Sequence, residues 1–155
     1  MSQWTHVAAV FRLDSAEREL TQEKLETIIG EAITYEDMCR GDWFYEGTKY
    51  LPYGREGSLA YACIENDDED YVDAYLVTVT GDLRDYDNSD EIEKWFMDSV
   101  KGFSEHSMTI RQACITIEVE YQNTIFGTVV QKGFDYLLRK HALKYNREEE
   151  TYADT

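Results

Sequence analysis

The chain has 155 residues, 43% of them hydrophobic with 12 Tyr, 6 Phe and 3 Trp, which fits one domain with a real core and excludes a disordered acidic chain. Its net charge of −17 argues against binding nucleic acid or anionic membrane through a basic face, and no apolar run approaches the roughly 18 residues of a membrane span, nor does a signal-peptide core follow Met1. Cys39, Cys63 and Cys114 have neither a disulfide-framework nor a zinc spacing, so they are expected to be reduced, unbridged cytosolic thiols.

Trp4 to Leu13 is β-branched and aromatic and predicts a first strand. Thr21 then offers an N-cap to a helix whose apolar face is Leu25, Ile28, Ile29, Ala32 and Ile33. Residues 34–57, with Gly41, Gly47, Pro52, Gly54 and Gly57, predict a long aromatic-rich connection, a length that is usually functional or hides a short element. Ser58–Glu65 and Asp73–Thr80 predict a second and third strand joined as an antiparallel hairpin by the acidic turn Asn66–Asp70, with Gly81 ending the third. Asn88 or Ser89 caps a second helix. Asp90, Glu91 and Glu93 lie in its first turn, and Ile92, Trp95, Phe96, Ser99, Val100 and Phe103 follow at helical spacing. Met108–Glu120 alternates Ile115, Ile117 and Val119 against Thr116, Glu118 and Glu120, and Gln122-Asn123 turns it into a fifth strand, Thr124–Val130. Phe134–Tyr145 spaces Phe134, Leu137, Leu138 and His141 as a closing helix, and Glu148–Thr155 is expected to fray.

This order predicts an α+β fold, a ferredoxin-like β-α-β-β-α-β core with an antiparallel sheet plus an extra strand and a C-terminal helix. Residues 1–147 form the domain, residues 148–155 an acidic tail. The expected shared core is Leu25, Ile28, Ile29, Leu76, Trp95, Phe96, Val100, Ile115 and Ile117.

The charge is unevenly spread. Residues 1–60 carry net −5, residues 61–100 net −11 with only Arg84 and Lys94 as bases, and residues 101–155 net −1. Acids placed for solubility alone would be more even. The acidic turn does not make an EF-hand: in register from Asn66 the sharp-turn glycine and the closing glutamate fall on Tyr71 and Val77, and from Asp85 the closing position is Phe96. His6, His106 and His141 show no HExxH, and His6-Val7-Ala8 and His106-Ser107-Met108 both miss the H-x-[ST] of two-histidine phosphoesterases, so His6 reads as a strand histidine with its hydrogen bonds satisfied. Cys63 and Cys114 read as small core residues. Cys39 beside Arg40 lacks a histidine nearby in sequence to act as its base. Gly54-Arg55-Glu56-Gly57-Ser58 lacks the lysine of a phosphate loop and leads into a strand, so it reads as a turn. A carboxylate-metal hydrolase using Asp82, Asp85, Asp87 and Asp90 is a minor alternative; neither a metal site nor a cofactor is assigned, and no catalytic residue is.

Trp4-Thr5-His6-Val7, Gly54-Arg55-Glu56-Gly57-Ser58-Leu59 and Gly81-Asp82-Leu83-Arg84-Asp85-Tyr86 together resemble stretches of a group of small, acidic, uncharacterised bacteriophage-encoded proteins, whose pattern has Ser where Arg55 stands. The resemblance brings no catalytic residues. It implies a protein of the host cytoplasm that occupies a host protein's nucleic-acid site or sequesters a signal. Duplex DNA presents a negative charge about every 1.7 Å of axis, and a folded surface carrying −11 within 40 residues can imitate that density. The leading expectation is therefore a non-enzymatic, phage-type inhibitor, a DNA mimic of anti-defence or anti-transcription type, that binds a basic nucleic-acid-binding host protein and neither nucleic acid nor membrane directly. Its expected contacts are Asp67, Asp68, Glu69, Asp70, Asp82, Asp85, Asp87 and Asp90, with Trp43, Tyr45 and Tyr53 as apolar anchors. The alternative is a homo-oligomeric nucleotide sponge, which needs Arg55, Arg84 or Arg111 to converge on an anion. Homodimerisation is open under either reading.

Overall fold

In the computed structural model, residues 2–15, 19–39, 49–67, 73–86, 88–146 and 151–154 are described. The chain is α+β, with a seven-stranded sheet in the order β2-β3-β1-β4-β5-β6-β7 whose neighbouring strands all pair antiparallel. The elements in chain order are β1 (Trp4–Ser15), α1 (Gln22–Ile29), α2 (Tyr35–Cys39), β2 (Ala60–Asp67), β3 (Asp73–Arg84), α3 (Ser89–Glu105), β4 (Met108–Val119), β5 (Asn123–Lys132), β6 (Asp135–Asn146) and β7 (Thr151–Asp154).

The core lies on one face of the sheet, beneath α1 and α3. β1 alternates Val7, Ala9, Phe11 and Leu13 inward, and its neighbours answer with Val77 and Val79 on β3 and with Ile115 and Ile117 on β4. Ile92, Phe96, Val100 and Phe103 of α3 are fully buried against them, and the Phe11 ring lies 5.1 Å from Phe96 and 5.3 Å from Phe103. Trp95 is buried, and its indole N–H donates to the Ile29 carbonyl (2.7 Å), tying α3 to the end of α1. Thr21 caps α1 as expected, its hydroxyl accepting from the Lys24 N–H.

Several expectations are corrected. The apolar face of α1 stops at Ile29, because Gly30 turns away at φ 112° to approach the backbone of Tyr50 and Leu51; Ala32 and Ile33 therefore lie beyond the helix. The connection at 34–57 does hide an element, α2. β3 does not end at Gly81. It runs on to Arg84, and the missing side chain lets the backbone around Ser58 and Leu59 come close, since a Cβ would stand 2.5 Å from the Ser58 carbonyl oxygen. Leu76 belongs to the opposite face from Val77 and is only half-buried. Cys63 is exposed and Cys114 half-exposed, so neither is a core residue; Cys39, Cys63 and Cys114 are all free.

The largest correction concerns the C-terminus. Phe134–Tyr145 is not a helix: Gly133 at φ 65° starts a two-residue hairpin loop, and Asp135–Asn146 pairs along the full length of β5 as β6. Phe134, at the loop, is fully exposed, Leu137 and His141 face outward, and Tyr136, Leu138 and Ala142 pack against the core. Within the expected frayed tail, Thr151–Asp154 pairs with β6 as the edge strand. No helix among the described residues is long and apolar enough to cross a membrane.

Candidate functional site

The three stretches that carry the resemblance lie far apart in sequence and meet at one end of the sheet. Residues 53–58 make a tight turn, with a Tyr53–Ser58 bridge and a Gly54 N–H to Gly57 carbonyl bond of 2.9 Å. This turn docks on the end of β3: the Arg55 N–H donates to the Arg84 carbonyl (3.1 Å) and the Arg84 N–H to that of Glu56 (2.9 Å). The approach demands glycine at position 57, where φ is 79° and a Cβ would stand 2.0 Å from the Asp82 carbonyl oxygen. The start of β1 closes the assembly. The Asp85 N–H donates to the Gln3 carbonyl (2.7 Å), and the Thr5 hydroxyl donates to that of Tyr86. Asp85 itself sits at φ 54°, a left-handed conformation that aspartate tolerates better than most residues.

Carboxylates from β3, β4 and α3 gather at this end. His6 Nδ1 lies 2.6 Å from Asp82 Oδ1, and His6 Nε2 lies 3.4 Å from Glu120 Oε2 and 4.0 Å from Glu118 Oε1. The hydrogen bond to Asp82 raises the His6 pKa above its ordinary value, partial burial opposes it, and Glu120 adds to the rise. Trp4 N–H donates to Glu120 Oε1 (2.9 Å), holding that carboxylate in place. Arg84 is also committed, its Nη1 2.6 Å from Glu56 Oε1 and its Nε bonded to the Ser2 hydroxyl. Asp85 is exposed, as is Asp90 in the first turn of α3. The Tyr86 hydroxyl donates to Glu91 in the same turn (2.6 Å).

Two depressions flank the cluster. One, of about 460 Å³, is lined by Tyr53, Gly54, Arg55, Asp85 and Tyr86. The other, of about 380 Å³, is lined by Glu118, Glu120, Tyr121, Tyr145 and Tyr152, whose rings meet edge to face. Burial, and then a hydrogen bond to Glu118, raise the Tyr152 pKa. Among the described residues no group of three or more His, Cys, Asp or Glu side chains is set to hold a metal ion.

Of the residues singled out from sequence, Tyr53, Asp82, Asp85 and Asp90 are therefore brought to one end. Asp67 is not: its backbone pairs with Asp73 at the opposite end of the 12-residue β3 from Asp82. Asp68, Glu69, Asp70, Asp87, Trp43 and Tyr45 lie outside the described residues. Arg111 does not converge with Arg55 or Arg84. It is the extra residue of a β-bulge near the other end of the sheet and pairs with Asp14. Sequence reasoning did not single out Gln3, Glu118, Glu120 or the three tyrosines as site residues. The only signal for the glutamates was their place on the polar side of an alternating strand, which says that they face away from the core but not what they face. Comparison with known protein families, with curated proteins and with solved structures finds no match to this chain.

Proposed function

We propose that this chain is a non-enzymatic acidic binding protein whose carboxylate-rich sheet end docks on the basic, nucleic-acid-binding surface of a host protein, in the manner of a phage-type inhibitor acting in the host cytoplasm. The observation that carries the reading is the convergence of Asp82, Asp85, Asp90, Glu118 and Glu120 from three elements at one end, where His6 and Arg84 are already matched to carboxylates. The excess negative charge there is held on a sheet and a helix start, rigid enough to present a fixed pattern of anions, and tyrosine rings nearby can supply apolar contact. The order β2-β3-β1-β4, with α1 between β1 and β2 and α3 between β3 and β4, supports reading the first part of the chain as a ferredoxin-like core extended by the meander β5-β6-β7.

The test is capture from host lysate on the immobilised protein. The expected catch is a DNA-binding protein that elutes with salt and is displaced by duplex DNA, and the Asp85→Asn, Asp90→Asn double variant should bind it with a slower on-rate and a shallower salt dependence. Capture of no such protein, or of one that duplex DNA does not displace, would refute the reading. One feature favours a second reading, an anionic small-molecule binder: Arg55 opens on a depression between Tyr53 and Tyr86. A nucleotide that raises the melting temperature of the wild type but not of Arg55→Ala would support it, and no shift across a nucleotide panel would exclude it.

A further inference from the structure

Among the described residues no helix covers the sheet face opposite α1 and α3, where Ala8, Thr80 and Arg12 are exposed, and its outward residues form rows set by the strand register. One row is acidic: Asp82, His6 and Glu118 stand side by side on β3, β1 and β4. The next two rows toward the middle of β1 are small and uncharged on these strands, with Thr80, Ala8 and Thr116, then Thr78, Val10 and Cys114. The fourth places Arg12 beside Leu76 and Ile64, the latter 60% exposed. Arg12 has no ion-pair partner among the described residues, and it borders a cleft of about 380 Å³ with Ile64, Leu76 and Arg111.

We propose that a second copy of this chain covers this face, related by a two-fold axis that crosses the strands between Ala8 and Val10, so that Arg12 of each copy stands over His6 of the other, between its Asp82 and Glu118. The acidic row and Arg12 lie three residues to either side of Ala9, so a single rotation superposes each on the other. An axis along the strands would instead stack acidic row on acidic row, which like-charge repulsion disfavours. On β3, β1 and β4 the small residues of the middle rows let two sheets approach to the usual separation of about 10 Å, while the same rows continue as Phe126 and His141, then Thr128 and Arg139, on β5 and β6. Six strands at about 4.8 Å spacing and about eight residues of strand length make a face of roughly 29 by 26 Å, close to the roughly 800 Å² per partner of a standard interface. Charge pattern and area thus both fit a self-complementary pair. In such a dimer Asp82 and Glu118 serve the contact between copies, and the acids left for a host protein are Asp85 and Asp90, carried at opposite extremes, so that the dimer is bivalent. This inference does not depend on the identity of any partner.

Sedimentation equilibrium of the full chain at tens of micromolar tests it. The wild type should sediment at twice its 18.1 kDa. Arg12→Glu and Val10→Glu should each weaken the dimer about tenfold or more, while far-ultraviolet circular dichroism and melting stay cooperative. Arg12→Glu combined with Glu118→Arg should restore association, because it exchanges the two ends of the pair. If Val10→Glu fails to fold, Arg12→Glu, at an exposed position with no ion-pair partner among the described residues, carries the test with its double variant. A monomeric wild type overturns the proposal, and so does a dimer that Arg12→Glu leaves unchanged. A dimer that behaves as expected but captures no DNA-binding protein counts against the proposed function alone.

Discussion

The two faces of the sheet are made by the same strands and carry opposite chemistry. On the helix-covered face, Phe11, Val77, Val79 and Ile117 are completely shielded. On the bare face, Thr80 and Arg12, a single step along the chain from Val79 and Phe11, are exposed. The pleat alone separates them. Stability accordingly resides on one face. The other is free to vary in charge without unfolding the domain, and there polar and acidic groups have collected at one end. The contrast teaches where to look for each property: large losses of stability from the covered side and the tight turn, small and pH-dependent ones from the acidic end.

The covered face breaks most severely at Trp95. Trp95→Ala removes a buried ring that touches Phe11 edge to face and donates to the Ile29 carbonyl, leaving that carbonyl unpaired. Urea denaturation should show a loss of about 3–5 kcal/mol. Retention of wild-type stability would mean that α3 does not seal the core through this residue.

An intermediate effect is expected where the turn at 53–58 docks on β3. Gly57→Ala forces a left-handed φ on alanine and drives its Cβ into the Asp82 carbonyl, so the domain should lose about 1–3 kcal/mol. Gly133→Ala, also at positive φ but with nothing within 4 Å of the added Cβ, should lose less. Differential scanning calorimetry of the two variants separates backbone strain from collision, and equal losses would show that the docking of the turn on β3 contributes nothing.

The smallest effect is on the bare face and depends on pH. The folded-state pKa of His6 is raised by Asp82 and then Glu120, so the protonated form binds its carboxylates and the gain is fully present below the unfolded pKa of about 6.5. It is lost as pH rises through the higher folded value. The stability difference between wild type and His6→Gln should therefore shrink from mildly acidic to mildly alkaline pH, and an NMR titration of the His6 ring should give a midpoint above about 6.5. A midpoint below it, or a constant difference, would detach His6 from the carboxylates.

Much of this architecture was legible from local pattern. The period of two in β1, β3 and β4, the period of 3.6 in α3 and the Thr21 cap are properties of neighbouring residues, and local propensity and tertiary packing agree on them. The segment 135–146 was misread because Phe134, Leu137, Leu138 and His141 fit a helical spacing by coincidence. Gly133 turned the chain back on β5, and ten residue pairs of ladder outweighed local helical preference. Leu76 was misplaced for a related reason. Alternation says that Leu76 and Val77 face opposite sides but not which side the helices will cover.

By itself the sequence determined the class of the protein: an acidic α+β domain with a period-two sheet, its charge excess between residues 61 and 100, and an N-cap and helix face that need no distant partner. Tertiary structure alone decided what the acids face. The antiparallel register set Asp82 beside His6 and His6 beside Glu118, residues separated by 76 and 112 positions, while the length of β3 carried Asp67 to the other end of the sheet. Charge can be counted along a chain, but a site depends on distances in space, and those follow from strand pairing between residues that carry no local sign of one another.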